Sequence, residues 1–481
     1  MKQLSLKKQT IMYAFGNYSR IIMTLFLNAI LARILNADDY GIVAVITVFS
    51  TLFVTLSDVG VGPAIVQIKD LKMKEVEDIY SITVYLACAL SVFFMILSVP
   101  ISRFYNDGIY VPIGILLSVS IFFNISNMVP NGILNKEKKF VFIALRNILV
   151  CVASSVIAIM LALDGWGVYA LVFQNIISAM LTYAVNYVAV KIKLSKKIEF
   201  DGIKKIAKFS GFQFAFNLVC YISRNLDNLL TGKYLSAGEL GFYNKAYTLM
   251  LYPVNNLTGV FMPVLHPVLS DFQKEPLVIY NKFKKIARAC MLVGSIVFAT
   301  CYLGSREMIQ IVLGSGWEKT AICFRWMSIA MVPQMMNSCV GAIYQSIGNT
   351  KLLFYNSCIN VLISVLAILL GVFYFKSIIG LSICISIAYF FHFIAAHYML
   401  MKFGFHVSFL RFLLELKKEI FILLTMALSC VLYGDSGNVN VFALINKVIY
   451  LMIIYGVMVL ITREFRFILE IVKGKKNEKL D

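Results

Sequence analysis

Three observations predict an all-α polytopic membrane fold of about 14 transmembrane helices. Hydrophobic residues make up 60% of the chain and mean hydropathy is +0.82, against an apolar share of about half in soluble domains. Apolar runs of spanning length recur from end to end, and a helix crossing roughly 30 Å of hydrocarbon needs about 20 residues. The connectors between these runs alternate between lysine-rich and lysine-poor. Of the 44 Lys and Arg, 32 fall on the termini, the even-to-odd connectors and the first turn of the spans that follow them, five on odd-to-even connectors and seven elsewhere within spans. Basic residues on short loops stay cytoplasmic, so the pattern predicts that both termini lie inside.

The predicted spans fall at 10–35, 42–66, 79–100, 111–130, 141–163, 167–190, 209–231, 242–266, 285–304, 322–346, 352–374, 378–401, 416–433 and 441–462. Lys2, Lys7 and Lys8 precede the first run as they would in a signal peptide. That run is too long for a signal h-region and has no small-residue cleavage site, so it reads as an uncleaved helix. The longest basic connector, Lys191 to Lys208, carries seven lysines and follows span six. The next break, Lys402 to Lys418, follows span twelve. The expected organisation is therefore an N-lobe over 1–195, a C-lobe over 196–402, and a C-terminal helix pair with a cytoplasmic tail over 403–481.

An internal repeat supports two six-helix lobes. A shift of 200 residues aligns Asn17 with Asn217, Asn28 with Asn228, Leu35 with Leu235, Ala37 with Ala237, Gly41 with Gly241 and Pro63 with Pro263. Asp39 then faces Glu239, and Arg33 faces Lys233. Both copies start inside, so the lobes are parallel repeats, an arrangement found in transporters that rock two lobes about a site near the midplane.

Composition also excludes. Fourteen spans leave only short loops, with no room for a soluble domain of useful size. A net charge of +19 would suggest nucleic acid in a soluble protein. On cytoplasmic loops it sits beside anionic lipid headgroups, where each basic residue gains about 1 kcal/mol; no nucleic-acid partner is expected. The ten cysteines lie in spans without a C-x-x-C pair or a His/Cys cluster, so they read as packing residues and no metal site is expected. The longest external connector, near 304–321, is too short to carry a catalytic apparatus, and no enzyme is expected.

Several stretches resemble one family. Ala32-Arg33-Ile34-Leu35-Asn36-Ala37-Asp38-Asp39-Tyr40-Gly41, Asp58-Val59-Gly60-Val61-Gly62-Pro63-Ala64-Ile65-Val66-Gln67, Gly165-Trp166-Gly167-Val168-Tyr169-Ala170-Leu171 and Leu240-Gly241-Phe242-Tyr243-Asn244-Lys245-Ala246-Tyr247 occur in order at the expected helices. With Asp227 in helix seven, they are similar to motifs of the Wzx-type polysaccharide transporters of the multidrug/oligosaccharidyl-lipid/polysaccharide superfamily. The resemblance weakens after about residue 405. It implies translocation of an undecaprenyl-pyrophosphate-linked oligosaccharide across the plasma membrane by alternating access, without a cofactor. It also implies polymerase and glycosyltransferase partners of the same pathway. A cation-coupled multidrug exporter is the alternative within the superfamily; it would favour acidic groups in the N-lobe, where Asp58 is the only candidate.

Polar residues inside spans supply candidate binding groups, because a charge at mid-bilayer costs about 2.5–3.5 kcal/mol on insertion scales unless it meets a cavity or a partner. Asn17, Arg20, Thr24 and Asn28 fall within about 80° of one another around helix one. Helix seven carries Gln213, Asn217, Arg224, Asp227 and Asn228 on one face, and Arg224 and Asp227 are spaced to neutralise each other. Thr47, Thr51, Thr55 and Asp58 form a stripe in helix two; Lys245 opens a similar stripe in helix eight. Arg20, Arg224 and Lys245 suit pyrophosphate oxygens. Asn17, Thr24, Asn28, Asp58, Gln213, Asn217, Asp227 and Asn228 suit sugar hydroxyls. Arg325 at the start of helix ten is a weaker candidate, with Glu318 as its expected structural partner, and Lys447 has no visible partner. His266, His392, His397 and His406 show no metal spacing with carboxylates; His266 reads as a satisfied polar residue, with proton coupling as the alternative. Tyr280 to Arg288 is basic and amphipathic and reads as a helix on the inner membrane surface. Trp317 reads as an external interface anchor.

Overall fold

The computed structural model describes residues 6–57, 61–68, 71–195, 221–259, 269, 272–273, 275–434 and 439–473. It is all-helical, and no strand occurs among these residues. Packing divides the chain into two compact units, Met1–Gly241 and Phe242–Asp481.

The first unit contains α1 (Leu6–Ile34), α2 (Ala37–Ser57), α3 (Val61–Gln67), α4 (Met73–Tyr105), α5 (Tyr110–Ser126), α6 (Met128–Lys136), α7 (Phe140–Leu163) and α8 (Val168–Val190). It also holds α9 (221–234) and the start of α10 (Ala237–Gly259). α4 packs on α5, α1 on α7, and α8 on both α5 and α7. Between membrane helices, close packing rather than the hydrophobic effect drives association. Small residues serve this at the α1–α7–α8 contact, where Leu31 and Leu35 meet Ala158, Ala162 and Ala170. α7 and α8 are joined by a turn in which Gly165 (φ +81°) and Gly167 (φ +51°) take the left-handed conformation that glycine tolerates without strain.

α2 and α10 open with the same device. The side chain of Asn36 accepts from the Asp39 N–H at 2.9 Å, while the Asn36 N–H donates back to the Asp39 carboxylate at 3.2 Å. This reciprocal cap satisfies helix-end donors that would otherwise lack partners. Two hundred residues on, the Ser236 hydroxyl accepts from the Glu239 N–H at 3.0 Å. The two helix starts then touch reciprocally. A side chain at Gly41 would strike the Ala237 backbone, and one at Gly241 would strike the Ala37 backbone. The Leu-x-Ala-x-acid-x-Gly turn shared by the two repeats is thus a cap followed by a glycine crossing, and the contact itself obeys the 200-residue offset.

The second unit contains the rest of α10 and α11 (Pro276–Leu303), α12 (Ser305–Leu313), α13 (Glu318–Ser328), α14 (Met331–Ser346), α15 (Thr350–Leu369) and α16 (Ile378–Met399). α17 (Phe409–Glu415), α18 (Lys417–Leu432), α19 (Val441–Ile461) and α20 (Phe465–Lys473) complete it. α15 and α16 each run on into a π-helical turn, Leu370–Tyr374 and Leu400–Phe405. α11 is central and packs against α14, α18 and α19.

Ion pairs fasten the C-terminal helices to α11 and α12. Lys447 of α19 is buried, and its ammonium meets the Glu307 carboxylate of α12 at 2.7 Å and the Leu303 carbonyl at 3.1 Å. Lys447 therefore has the partner that its own neighbourhood in the sequence did not reveal. Arg288 of α11 bridges Glu419 and Glu464, each at 2.5 Å. Lys284, Tyr280 and Arg411 all bond Glu415, at 2.9, 2.8 and 3.1 Å. Partial burial alone would raise the Glu415 carboxyl, but these three bonds outweigh it and hold the group below the usual carboxylate range.

Nine helices among the described residues are long and apolar enough to cross a membrane. The other five expected spans fall on α1, α9, α10, the pair α13 and α14, and α18, with 209–220 outside the described residues. Three local expectations are corrected. Tyr280 to Arg288 is not a separate surface helix. It forms part of the opening turns of α11, with Tyr280 and Phe283 buried and Arg288 and Lys284 turned to the acidic groups above. Trp317 is 3% exposed and packs edge-on against Phe242 at 5.7 Å, so it is a core residue rather than an interface anchor. Arg325 lies over the Tyr302 ring at 4.7 Å, while Glu318 accepts from the Gly316 N–H at 3.1 Å.

Candidate functional site

α2, α5 and α8 of the first unit carry an uncharged polar wall. A cavity of about 70 Å³ opens between them, and its polar lining is Thr47, Ser50, Thr51, Ser120, Asn124 and Asn175. Thr51, Asn124 and Asn175 are exposed. Their position on each helix shows what they are exposed to. At 100° per residue, Asn175 lies about 180° around α8 from the middle of the exposed apolar arc formed by Met180, Val185, Tyr187 and Val188. Asn124 lies about 140–180° around α5 from the exposed Ile115 and Val119. The helices therefore have two exposed faces, one apolar and one polar. Hydrocarbon accepts the first and penalises the second, so the polar face belongs to a water-accessible cavity.

Local bonding sets what the wall offers. The Asn124 amide N–H donates to Ser120 Oγ one turn back at 3.2 Å, and the Asn175 amide N–H donates to the Leu171 carbonyl at 3.0 Å. Ser50 donates to the Thr47 carbonyl at 3.1 Å, and Thr55 to the Thr51 carbonyl at 2.8 Å. Thr47 Oγ1 is a buried hydroxyl without a hydrogen-bond partner among the described residues. The Tyr221 hydroxyl of α9 donates to the Val48 carbonyl at 2.7 Å and ties α9 to α2.

Of the residues singled out on helix one, Arg20 and Asn28 are half-buried. The Thr24 hydroxyl is within 3.3 Å of Cys151 Sγ on α7, so Thr24 joins the α1–α7 contact. On α9, Arg224 is exposed and makes no ion pair with Asp227 among the described residues. Asp227 is buried, and its carboxylate accepts from the Asn228 N–H at 2.8 Å. Asn228 and Lys245 are half-buried. The side chain of Asn17 lies outside the described residues, as do Asp58, Gln213, Asn217 and His266. His392 Nε2 is 2.9 Å from the Asn360 carbonyl and 3.2 Å from Ser364 Oγ. His397 Nδ1 is 2.9 Å from the Phe393 carbonyl. No cluster of metal ligands forms among the described residues.

Sequence reasoning missed Asn124 and Asn175, although each is an amide well inside an apolar span and Asn175 directly follows Gln174. It also missed Arg146 of α7, which is buried in an asparagine cradle. Its guanidinium donates to the side-chain oxygens of Asn147 at 2.7 Å, Asn131 at 3.2 Å and Asn186 at 2.6 Å, and Asn186 donates onward to Asn127 at 2.7 Å. These amides come from α6, α7, α8 and the α5–α6 junction, so the network locks four elements together.

Comparison with known proteins follows this architecture. Residues 30–322 match the model of a family described as polysaccharide biosynthesis protein. The chain is 23% identical over 328 residues to the lipopolysaccharide biosynthesis protein WzxC of Escherichia coli (strain K12), covering 66% of this chain and 63% of that protein. It is 22% identical over 311 residues to the teichuronic acid biosynthesis protein TuaB of Bacillus subtilis (strain 168), covering 64% of each. The chain thus spans less than two thirds of the length of these two relatives. In structure it superposes on the lipid II flippase MurJ, inward closed conformation, with a TM-score of 0.73 and 16% identity, over 95% of this chain and 99% of that one. With its many apolar helices it is a multi-pass membrane protein. The chain belongs to the polysaccharide biosynthesis protein family.

Proposed function

We propose that the protein flips an undecaprenyl-pyrophosphate-linked oligosaccharide repeat unit from the cytoplasmic to the outer leaflet, by alternating access, for synthesis of a surface polysaccharide. The observation that carries this reading is the polar wall of α2, α5 and α8, set within membrane helices of a fold shared with a lipid II flippase. An oligosaccharide needs amide and hydroxyl partners at bilayer depth, and an apolar bundle without such a wall would have none to give. The lobes are residues 1–195 and 196–402, with the pair 403–481 attached to the second; 14 spans place both ends in the cytoplasm. Arg20, Arg224 and Lys245 meet the pyrophosphate. Asn17, Thr24, Asn28, Asp58, Gln213, Asn217, Asp227 and Asn228 contribute polar contacts to the sugars. Thr24 does so only when its contact with Cys151 is broken. The polyprenyl tail stays in lipid, and no covalent bond is made or broken.

A leaflet-resolved assay of the lipid-linked oligosaccharide after depletion of this protein tests the reading. Single repeat units accumulating on the cytoplasmic face are the expected result. Units reaching the outer face unpolymerised, or no change in lipid intermediates, would overturn it. Arg20→Glu and Arg224→Glu are expected to abolish translocation while leaving expression intact.

A further inference from the structure

We infer that the cavity between α2, α5 and α8 is a subsite for uncharged sugar, separate from the cationic groups that meet the pyrophosphate. The inference rests on the flippase reading and adds to it a place and a chemistry for glycan recognition. Three observations carry it.

The first is charge. The cavity lining holds hydroxyls, amides and a few aliphatic side chains, with no charged group. Such a surface gives an anionic pyrophosphate nothing it would not get from water, whereas hydroxyls and amides match sugar hydroxyls donor for acceptor.

The second is direction. Asn124 and Asn175 each spend one of their two amide N–H donors within their own helix, on Ser120 Oγ and the Leu171 carbonyl. Their Oδ1 atoms accept no hydrogen bond from the described residues and are open to the cavity, where they can accept from ligand hydroxyls. Thr47 Oγ1 adds a buried hydroxyl that lacks a hydrogen-bond partner among the described residues.

The third is placement. Asn124 and Asn175 stand on the exposed faces of α5 and α8 that point away from the lipid-facing arcs, and Val54, Leu117 and Ile121 supply aliphatic surface for the C–H side of a sugar ring. The cavity, of about 70 Å³, is far too small for a whole repeat unit, so it holds one sugar of the chain.

The test measures lipid binding to the purified full-length protein in nanodiscs with two probes: undecaprenyl pyrophosphate, and undecaprenyl pyrophosphate carrying one neutral N-acetylhexosamine. Wild type is expected to bind the sugar-bearing probe about tenfold more tightly, as befits a few neutral hydrogen bonds. Asn124→Leu and Asn175→Leu are each expected to erase most of that increment and to bind the bare lipid as wild type does, which also reports that they are folded. If a leucine variant fails to bind the bare lipid, Thr51→Val is read in its place. A sugar increment unchanged in the variants, or absent in wild type, overturns the subsite while leaving the flippase reading intact. Failure of wild type to bind either lipid overturns both.

Discussion

Replacing Lys447 with methionine removes one half of a fully buried ion pair. At 2.7 Å the attraction between its ammonium and Glu307 is about 6 kcal/mol for an effective dielectric of 20. Desolvation of the two groups offsets most of that, so the pair as a whole adds little. Breaking it is another matter, because Glu307 stays buried with its neutralising partner gone, at a cost of about 3–5 kcal/mol. If the 242–481 unit melts as a block, that corresponds to a fall of about 6–20 °C in its melting temperature. Buried free thiols such as Cys301 and Cys430 provide the readout, since a thiol-reactive dye reports their exposure on heating detergent-solubilised protein. Lys447→Met/Glu307→Gln, which leaves no buried charge, is expected to recover most of the loss. A single variant melting within about 2 °C of wild type, or a double variant as labile as the single, would refute the reasoning.

Other expectations follow from the same geometry. Arg146→Ala empties the asparagine cradle and should destabilise the protein by about 3 kcal/mol, with Arg146→Lys recovering only part because a lysine cannot span three amides; a thermal shift below about 1 kcal/mol in equivalent terms would speak against the cradle. Gly41→Val should abolish accumulation of folded protein in membranes, as a side chain there meets the Ala237 backbone rather than a movable neighbour; normal yield and monodispersity would contradict the crossing. Glu415 is held below its unfolded value of about 4.3, so its contribution is complete above that pH and is lost as pH falls through the lower folded value. Wild type should therefore lose melting temperature more steeply than Glu415→Gln on acidification below about pH 4.5, and parallel curves would rule this out.

The helical membrane fold was legible because hydropathy and lysine placement act locally: each apolar run and each basic loop reports its own surroundings. What the sequence hid were partnerships over distance. Lys447 and Glu307 stand far apart in the chain, and nothing beside Lys447 hints at a carboxylate. Tyr280 to Arg288 has the composition of a surface helix, but its basic face is matched to Glu415, Glu419 and Glu464, all beyond residue 410. Trp317 beside Glu318 and Lys319 looked interfacial because its neighbours are charged, although its ring is taken up by Phe242. At the candidate site, a polar stripe read on one helix at a time could not separate a cavity wall from a helix contact: Thr24 turns to Cys151, whereas Asn124 and Asn175, on two different helices, come together with Thr47 and Thr51 only when three helices pack.

The crossing of Gly41 with Ala237 and of Gly241 with Ala37 bears on how the chain came to have two similar halves. At most positions a duplicated residue acquires its own neighbours and is free to drift from its copy. Here each copy is the other's neighbour, so a change in one turn is felt at once by the backbone of the other. Neither turn can enlarge alone, and neither can shift without opening a gap in its twin. A contact made by an ancestral pair of identical chains would leave this trace after fusion: a short stretch kept alike in both halves, surrounded by sequence that has gone its separate ways.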